Sequence, residues 1–395
     1  MKHHSFPEAP KTGVWLIGAR GSVATTAVAG AAAVRAGLVP PTGMITATPD
    51  FAGAGLPELD DLVFGGHDVT DVPLLKRAEQ LAEAGVLPTR LLLPVHYALQ
   101  EADREIRRGA GHDRAGPAQA EIAASLVADL VSFRERHHLR QVVVVNVSST
   151  EPRQPPHPAH DDLAALEHAL ATETAVLPPS SLYAYAALRA GCAHVDFTPS
   201  PGARIPALHQ LACQEGLPYA GNDGKTGETL VRTALAPMFV HRALRVRSWS
   251  GTNLLGGGDG ATLADPDAAA GKTASKRSGL SALLGGPFEG TTHIDYVPSM
   301  GEMKTAWDHI TFEGFLGAAM SLQFTWQGCD SALAAPLVLD LARLMARARE
   351  LGASGPQEQL GFFFKDPVHL PGREHDHRLV AQYEALRAWY AEAGR

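Results

Sequence analysis

Past Lys76 this chain uses lysine only five times, at Lys225, Lys272, Lys276, Lys304 and Lys365. The whole sequence holds eight lysines against 26 arginines, so arginine supplies nearly all of the ordinary surface positive charge. Lysine can lose its proton when desolvated and then act as acid, base or nucleophile, whereas arginine stays charged. The five lie in the contexts G-N-D-G-K-T, A-G-K-T-A-S-K, G-E-M-K-T-A and F-F-F-K-D-P. Any one of them could be a retained surface residue. Together they point to an enzyme with a lysine-rich site for anionic groups.

Other segments could serve such a site. Gly18-Ala19-Arg20-Gly21 follows the apolar run 14–17 and opens an Ala-rich stretch over 22–30. Strand, glycine turn and helix in that order begin a dinucleotide-binding βαβ unit. Bare backbone N–H groups and the helix dipole there would receive a pyrophosphate. The turn is Gly-x-x-Gly and not the full G-x-G-x-x-G, so a purely structural tight turn is the competing reading. Residues 44–47 read as the second strand, with Asp50 the acid nearest its end. F-G-G-H-D at 64–68 offers another acid: its glycines would allow close backbone approach to a ligand, and Asp68 would accept from ribose.

G-N-D-G-K-T at 221–226 resembles a phosphate-binding P-loop, but the first glycine of that pattern falls on Tyr219. No apolar strand is read as running directly into it. The segment still brings a carboxylate, an ammonium and a hydroxyl to a domain junction, where pockets often form. G-G-G-D-G at 256–260 reads as a calcium or sugar loop or as a flexible turn. His157, His160, Asp161 and Asp162 lie among prolines that disfavour a preformed metal site, and read as a solvated loop. No metal is assigned. Asp330 precedes an apolar helix and reads as its N-cap.

These residues need a frame. The run Q-V-V-V-V-N-V at 141–147 is the clearest buried strand, of the kind found in a parallel sheet covered on both faces. Helical patterns at 119–138, 161–171 and 180–190, with a strand at 192–197, continue the alternation to about residue 220. That alternation predicts an α/β fold with a Rossmann-like, doubly wound parallel sheet. Stretches at 244–250 and 293–297 alternate like half-buried strands, 322–326 reads as extended, and together they predict a second, sheet-based α+β domain. Residues 256–287 between them are rich in Gly, Ala and Ser and read as mobile until a ligand orders them. A strong helix over 334–351 would return to the first domain. The resulting division is 1–227 completed by 329–395, with 228–328 as the second domain. The net charge of −8 argues against nucleic acid or anionic membrane as a partner. No apolar run reaches the roughly 20 residues of a spanning helix, the first residues lack a signal-peptide core, and three cysteines without metal spacing fit a reduced, cytoplasmic compartment.

Several of these motifs, taken together, resemble the myo-inositol-1-phosphate synthase (inositol-3-phosphate synthase) family, in its compact prokaryotic form. The resemblance is carried by the turn at 18–26, F-G-G-H-D at 64–68, V-V-V-V-N-V-S-S-T-E at 142–151 and G-N-D-G-K-T-G-E-T-L at 221–230. T-N-L-L-G-G-G-D-G at 252–260, Y-V-P-S-M-G-E-M-K-T-A at 296–306, D-S-A-L-A-A-P-L at 330–337 and F-F-F-K-D-P at 362–367 continue it in the right order. The chain departs from the family at Gly257 and Gly258, where larger polar or aromatic side chains are usual, and at Thr252, where an aromatic is expected.

The resemblance implies an NAD cofactor, a homotetramer and a redox-neutral cyclisation of glucose 6-phosphate to 1D-myo-inositol 3-phosphate. Oxidation at C5, enolisation, intramolecular aldol closure and reduction would follow one another. Matching motif by motif places Gly18, Ala19, Arg20, Gly21, Ser22, Val23, Asp68, Ser148, Ser149 and Thr150 at or near the cofactor. Thr198, Asp223, Lys225, Thr226, Gly258, Asp259, Asp330 and Ser331 complete that set. Lys272, Lys276, Lys304 and Lys365 match the family's substrate and catalytic lysines, with Asp259 and Asp330 orienting a lysine or assisting proton transfer. Competing readings are a cyclase of the same family that takes fructose 6-phosphate or another sugar phosphate, a plain NAD-dependent dehydrogenase, and a non-catalytic NAD sensor.

Overall fold

A computed structural model describes residues 10–111, 117–152, 154–258, 260, 279–370, 372 and 375–393. Its larger sheet has seven strands, all paired in parallel. β1 (Thr12–Ile17) lies between β2 (Leu62–Asp68) and β4 (Gln141–Asn146). β3 (Ile106–Arg108) extends the β2 side; β5 (Ala193–Asp196), β6 (Pro218–Gly221) and β11 (Gly355–Pro356) extend the other. The order β11-β6-β5-β4-β1-β2-β3 reverses between β1 and β4, which opens a crevice beyond the strand carboxyl ends.

Every residue of β1 and β4 is buried because helices cover both faces. On one face lie α1 (Ser22–Arg35), α2 (Leu74–Glu83), α3 (Leu92–Arg104), α9 (Asp330–Glu350) and α10 (Leu379–Ala393). On the other lie α4 (Gln119–Arg136), α5 (Leu163–Thr172), α6 (Pro179–Arg189) and α7 (Pro206–Gln214). The doubly wound α/β reading therefore stands.

Four local readings change. Residues 45–47 are a 3-10 turn and not a strand, pinned by Asp340 of α9, whose carboxylate accepts from Ile45 N at 2.8 Å and Thr46 N at 3.2 Å. Asp50 consequently ends no strand and accepts from Tyr383 Oη at 2.6 Å. F-G-G-H-D is the end of β2, and its glycines serve packing: a Cβ on Gly66 would lie 2.2 Å from Leu16 O and 2.5 Å from Ala19 Cβ. β6 does run directly into G-N-D-G-K-T, although the spacing still fails the P-loop pattern. Asp330 is the first residue inside α9 and Cys329 is the cap. His157 and His160 are held by Ala159 N, Glu173 and the Val176 carbonyl, while Asp162 caps α5.

The second sheet has the order β10-β9-β7-β8, from β7 (Arg245–Leu255), β8 (Thr292–Tyr296), β9 (Met303–Glu313) and β10 (Ala319–Cys329). One face packs on α8 (Gly227–His241) through Phe239, Trp249 and Ile310. Beneath it Arg232 donates to Asp308 at 2.6 Å and pairs with Glu228, and Trp249 Nε1 donates to the same Asp308 oxygen at 2.6 Å. The opposite face lies open, with Trp307 41% exposed. β10 passes without a loop into α9, so one continuous strand–helix element links the second sheet to the first. Among the described residues no helix is long and apolar enough to cross a membrane.

Candidate active site

A cavity of about 730 Å³ lies between the carboxyl end of the parallel sheet and the near end of the second sheet. Its floor is the glycine turn. Gly18 has φ +80°, and a Cβ there would lie 2.7 Å from Ser148 Cα, so only glycine lets β1 turn this close to the end of β4. Asp68, at the end of β2, accepts from Arg20 N at 2.7 Å and from Thr70 N at 2.8 Å, which fixes the turn. The Arg20 guanidinium is tied to Asp103 and the Thr70 carbonyl. Gly21 caps α1 with no side-chain cap, so the first-turn N–H groups remain available to an anion. Ser148 Oγ donates to Asn146 Oδ1 at 2.7 Å. Thr198 is held through N and Oγ1 by Asp196, a carboxyl whose pKa burial pushes up to about 7 against those bonds.

The opposite wall carries two ammonium–carboxylate pairs. Lys304, on β9, donates to Asp330 Oδ2 at 3.1 Å, and Thr226 Oγ1 donates to Asp330 Oδ1 at 3.3 Å. Lys365 donates to Asp223 Oδ1 at 2.7 Å. Backbone pairing explains the second contact. Lys365 N donates to Asp223 O, Lys225 N to Phe363 O and Asn222 N to Asp366 O, so segments 222–225 and 363–366 run side by side. Asp223 takes φ +61°, a left-handed conformation that Asp tolerates better than most residues.

The same pairing corrects one expectation. Lys225, two residues beyond Asp223, faces away from the cleft. Its Nζ donates to Gln382 of α10 and stands 5.8 Å from the Phe362 ring centroid. Burial pulls its pKa down to about 7. Ala19 is also outside the cavity, buried under β2 beside Gly66. The cavity brings together Gly18, Arg20, Gly21, Ser22, Val23 and Asp68 with Ser148, Ser149, Thr150 and Thr198. It adds Asp223, Thr226, Gly258, Lys304, Asp330, Ser331 and Lys365. Asp259, Lys272 and Lys276 lie outside the described residues, as does most of the stretch read as mobile. Sequence reasoning missed Arg77 and Glu302, which line the same cavity. Glu302 was within reach, since residues two apart at a strand start share a face and Lys304 was already singled out. Arg77 sits in an ordinary amphipathic helix and carries no such signal. Among the described residues no group of three or more His, Cys, Asp or Glu is placed to hold a metal ion.

A parallel sheet with a glycine turn at its reversal point, and a deep cleft beyond it, define a Rossmann-like dinucleotide-binding protein. Residues 12–57 and 54–391 match the sequence model of an NAD-binding family described as myo-inositol-1-phosphate synthase. Inositol-3-phosphate synthase 1 of Bacteroides thetaiotaomicron is 33% identical over 98% of this chain and 96% of its own length. Inositol-3-phosphate synthase 1 of Bos taurus is 30% identical, and the alignment covers 83% of this chain and 64% of the bovine protein. The chain belongs to the myo-inositol-1-phosphate synthase family; it is an enzyme of that family and its cofactor is NAD.

The fold agrees with two solved structures. Inositol-3-phosphate synthase of Caenorhabditis elegans superposes with a TM-score of 0.87 at 21% identity, covering 98% of this chain and 86% of that one. A myo-inositol-1-phosphate synthase-related protein of Thermotoga maritima gives 0.78 at 25% identity, covering 96% and 98%. The cleft fits NAD on its own terms: Gly21, Ser22 and Val23 line it, and the first turn of α1 carries no side-chain cap, so its N–H groups can receive a pyrophosphate.

Proposed function

We propose that this enzyme converts glucose 6-phosphate to 1D-myo-inositol 3-phosphate without net oxidation. The observation that carries the reading is the pair of lysine–carboxylate contacts, Lys304–Asp330 and Lys365–Asp223, facing the dinucleotide turn across one cavity. NAD supplies a hydride acceptor that can return what it takes. The rest falls to the chain. Once C5 is a ketone, the neighbouring C6 protons are acidified, and a base in the cleft can remove one. Negative charge then develops on the C5 oxygen during enolisation and on the C1 oxygen as C6 attacks the aldehyde. Fixed ammonium groups in a shielded cleft stabilise both, usually the largest catalytic contribution. Asp223 and Asp330 hold Lys365 and Lys304 in place, so their Nζ atoms need not reorganise as the charge moves. Within the same reading, Lys272, Lys276 and Asp259 supply phosphate contacts and further acid–base groups.

The proposal extends to organisation. Residues 1–227 with 329–395 form the NAD-binding part, 228–328 supply catalysis and assembly, and the open face of the four-stranded sheet joins four chains. The protein works in the cytoplasm on a sugar phosphate alone.

The test is incubation with NAD and glucose 6-phosphate deuterated at C5, with fructose 6-phosphate in a parallel arm. A non-reducing cyclitol phosphate that retains the deuterium, with no accumulated NADH, is expected. Stoichiometric NADH with an uncyclised keto sugar phosphate would identify a dehydrogenase, and a cyclitol formed only from fructose 6-phosphate would reassign the substrate.

A further inference from the structure

Glu302 stands in the turn that enters β9, two residues before Lys304, and both side chains line the cavity. Its Oε1 accepts from Arg77 Nη2 at 2.8 Å and from Ser22 Oγ at 3.3 Å. Arg77 Nη2 also donates to Ser22 Oγ at 2.6 Å, and Arg77 Nη1 donates to Gln80 at 3.1 Å, which fixes the guanidinium. Ser22 opens α1 at the dinucleotide turn, Arg77 belongs to α2, and Glu302 comes from the second sheet. Three separate elements therefore meet at one charged contact.

The approach is built in. A Cβ on Gly256 would lie 2.1 Å from Gly301 O, so the loop after β7 packs directly on the turn that carries Glu302. At Gly257 an added Cβ would stand 3.5 Å from Glu302 Oε2, and a longer side chain there would compete for the carboxylate's place. The pair is partly shielded, with 26% of Arg77 and 17% of Glu302 exposed, so it is worth more than an open surface contact.

We propose that Arg77 and Glu302 form a latch across the mouth of the cleft that sets how long NAD(H) stays bound. Both are positioning residues. Beside a turn that binds pyrophosphate, an unpartnered carboxylate would repel the ligand. Paired with Arg77, it instead ties the strand of Lys304 to α1 and α2 and closes the cofactor's way out. The latch rests on the cyclisation reading in one respect: the same nicotinamide must give back the hydride it took, so early escape would abort turnover.

The experiment measures NADH dissociation from the purified full-length protein, followed by nicotinamide fluorescence during a chase with excess NAD. Glu302→Gln should release NADH about tenfold faster than wild type. The double variant Arg77→Gln/Glu302→Gln should be no faster than Arg77→Gln alone, because the two residues act as one contact. Unchanged or slower release from Glu302→Gln would overturn the latch, as would additive effects in the double variant. The charge-reversed pair Arg77→Glu/Glu302→Arg should recover slow release relative to either single reversal; failure to do so counts against the latch even if one neutral variant is too unstable to assay. Cofactor residence is read separately from product. A dehydrogenase result in the deuterium assay would therefore leave the latch standing, and normal cyclisation with unchanged dissociation would remove the latch alone.

Discussion

Lysine scarcity drew attention to a residue type that lines the cavity but could not distinguish its members. Lys304 and Lys365 each face a carboxylate inside the cleft, whereas Lys225 meets an amide and an aromatic ring outside it. The difference is one of direction along a short paired segment, and only the pairing of 222–225 with 363–366 decides it. Lys225 should leave a signature in stability. Burial brings its folded pKa down to about 7, from the 10.5 of an exposed lysine. Below about pH 7 both states hold the proton and the folded protein carries the full burden of a buried charge. As pH rises from there towards 10.5 the folded state loses the proton first, so stability increases. Wild type should gain unfolding free energy relative to Lys225→Met between pH 6.5 and pH 9, by about 1–3 kcal/mol. Urea denaturation at the two pH values checks this; a difference that stays constant would mean the ammonium is solvated.

At the scale of elements, the buried strand at 141–146 and the long helix at 330–350 were legible because a continuous apolar run and a 3.6-residue period are strong local signals. The second strand was not. The apolar residues at 44–47 look like a strand in isolation, and the carboxylate that bends them into a turn comes from Asp340, 295 residues away. The glycines at 65–66 illustrate a related limit, since sequence shows that a side chain is missing but not what occupies the space. Here the occupants are Trp15 and Phe133 at Gly65, and Leu16 and Ala19 at Gly66. Gly66→Ala should accordingly destabilise the protein by about 3 kcal/mol through overpacking of β1 against β2. Equilibrium unfolding without NAD is the measurement. Unchanged stability combined with weakened NAD binding would return Gly66 to the role of ligand approach.

For the molecule as a whole, the two-part plan was visible in the change of hydrophobic period near residue 240, from buried runs to alternation. Alternation also implies two unlike faces, and on β9 the residues 306, 308 and 310 are buried while Trp307 is 41% exposed. An open sheet face with a large aromatic is a natural seam between copies. Light scattering should give a mass of four chains, and Trp307→Asp should lower it while each chain keeps its far-ultraviolet dichroism. A monomeric wild type would refute the seam. Arg77 and Glu302 belong to this scale too. Neither was conspicuous in the sequence, because their meaning lies in elements that only the assembled fold brings face to face.

The pairing of 222–225 with 363–366 also bears on the order in which the enzyme comes into being. A ribosome delivers the residues of the cofactor turn first and Lys365 near the end, so the turn is synthesised long before there is a second ammonium to place opposite it. Until that late segment docks, Asp223 has no cationic neighbour at this contact and the far wall of the cleft is half made. On the proposed role of Lys365, catalytic competence therefore comes late in synthesis, and a chain interrupted before this residue would carry the cofactor turn without the second ammonium opposite it.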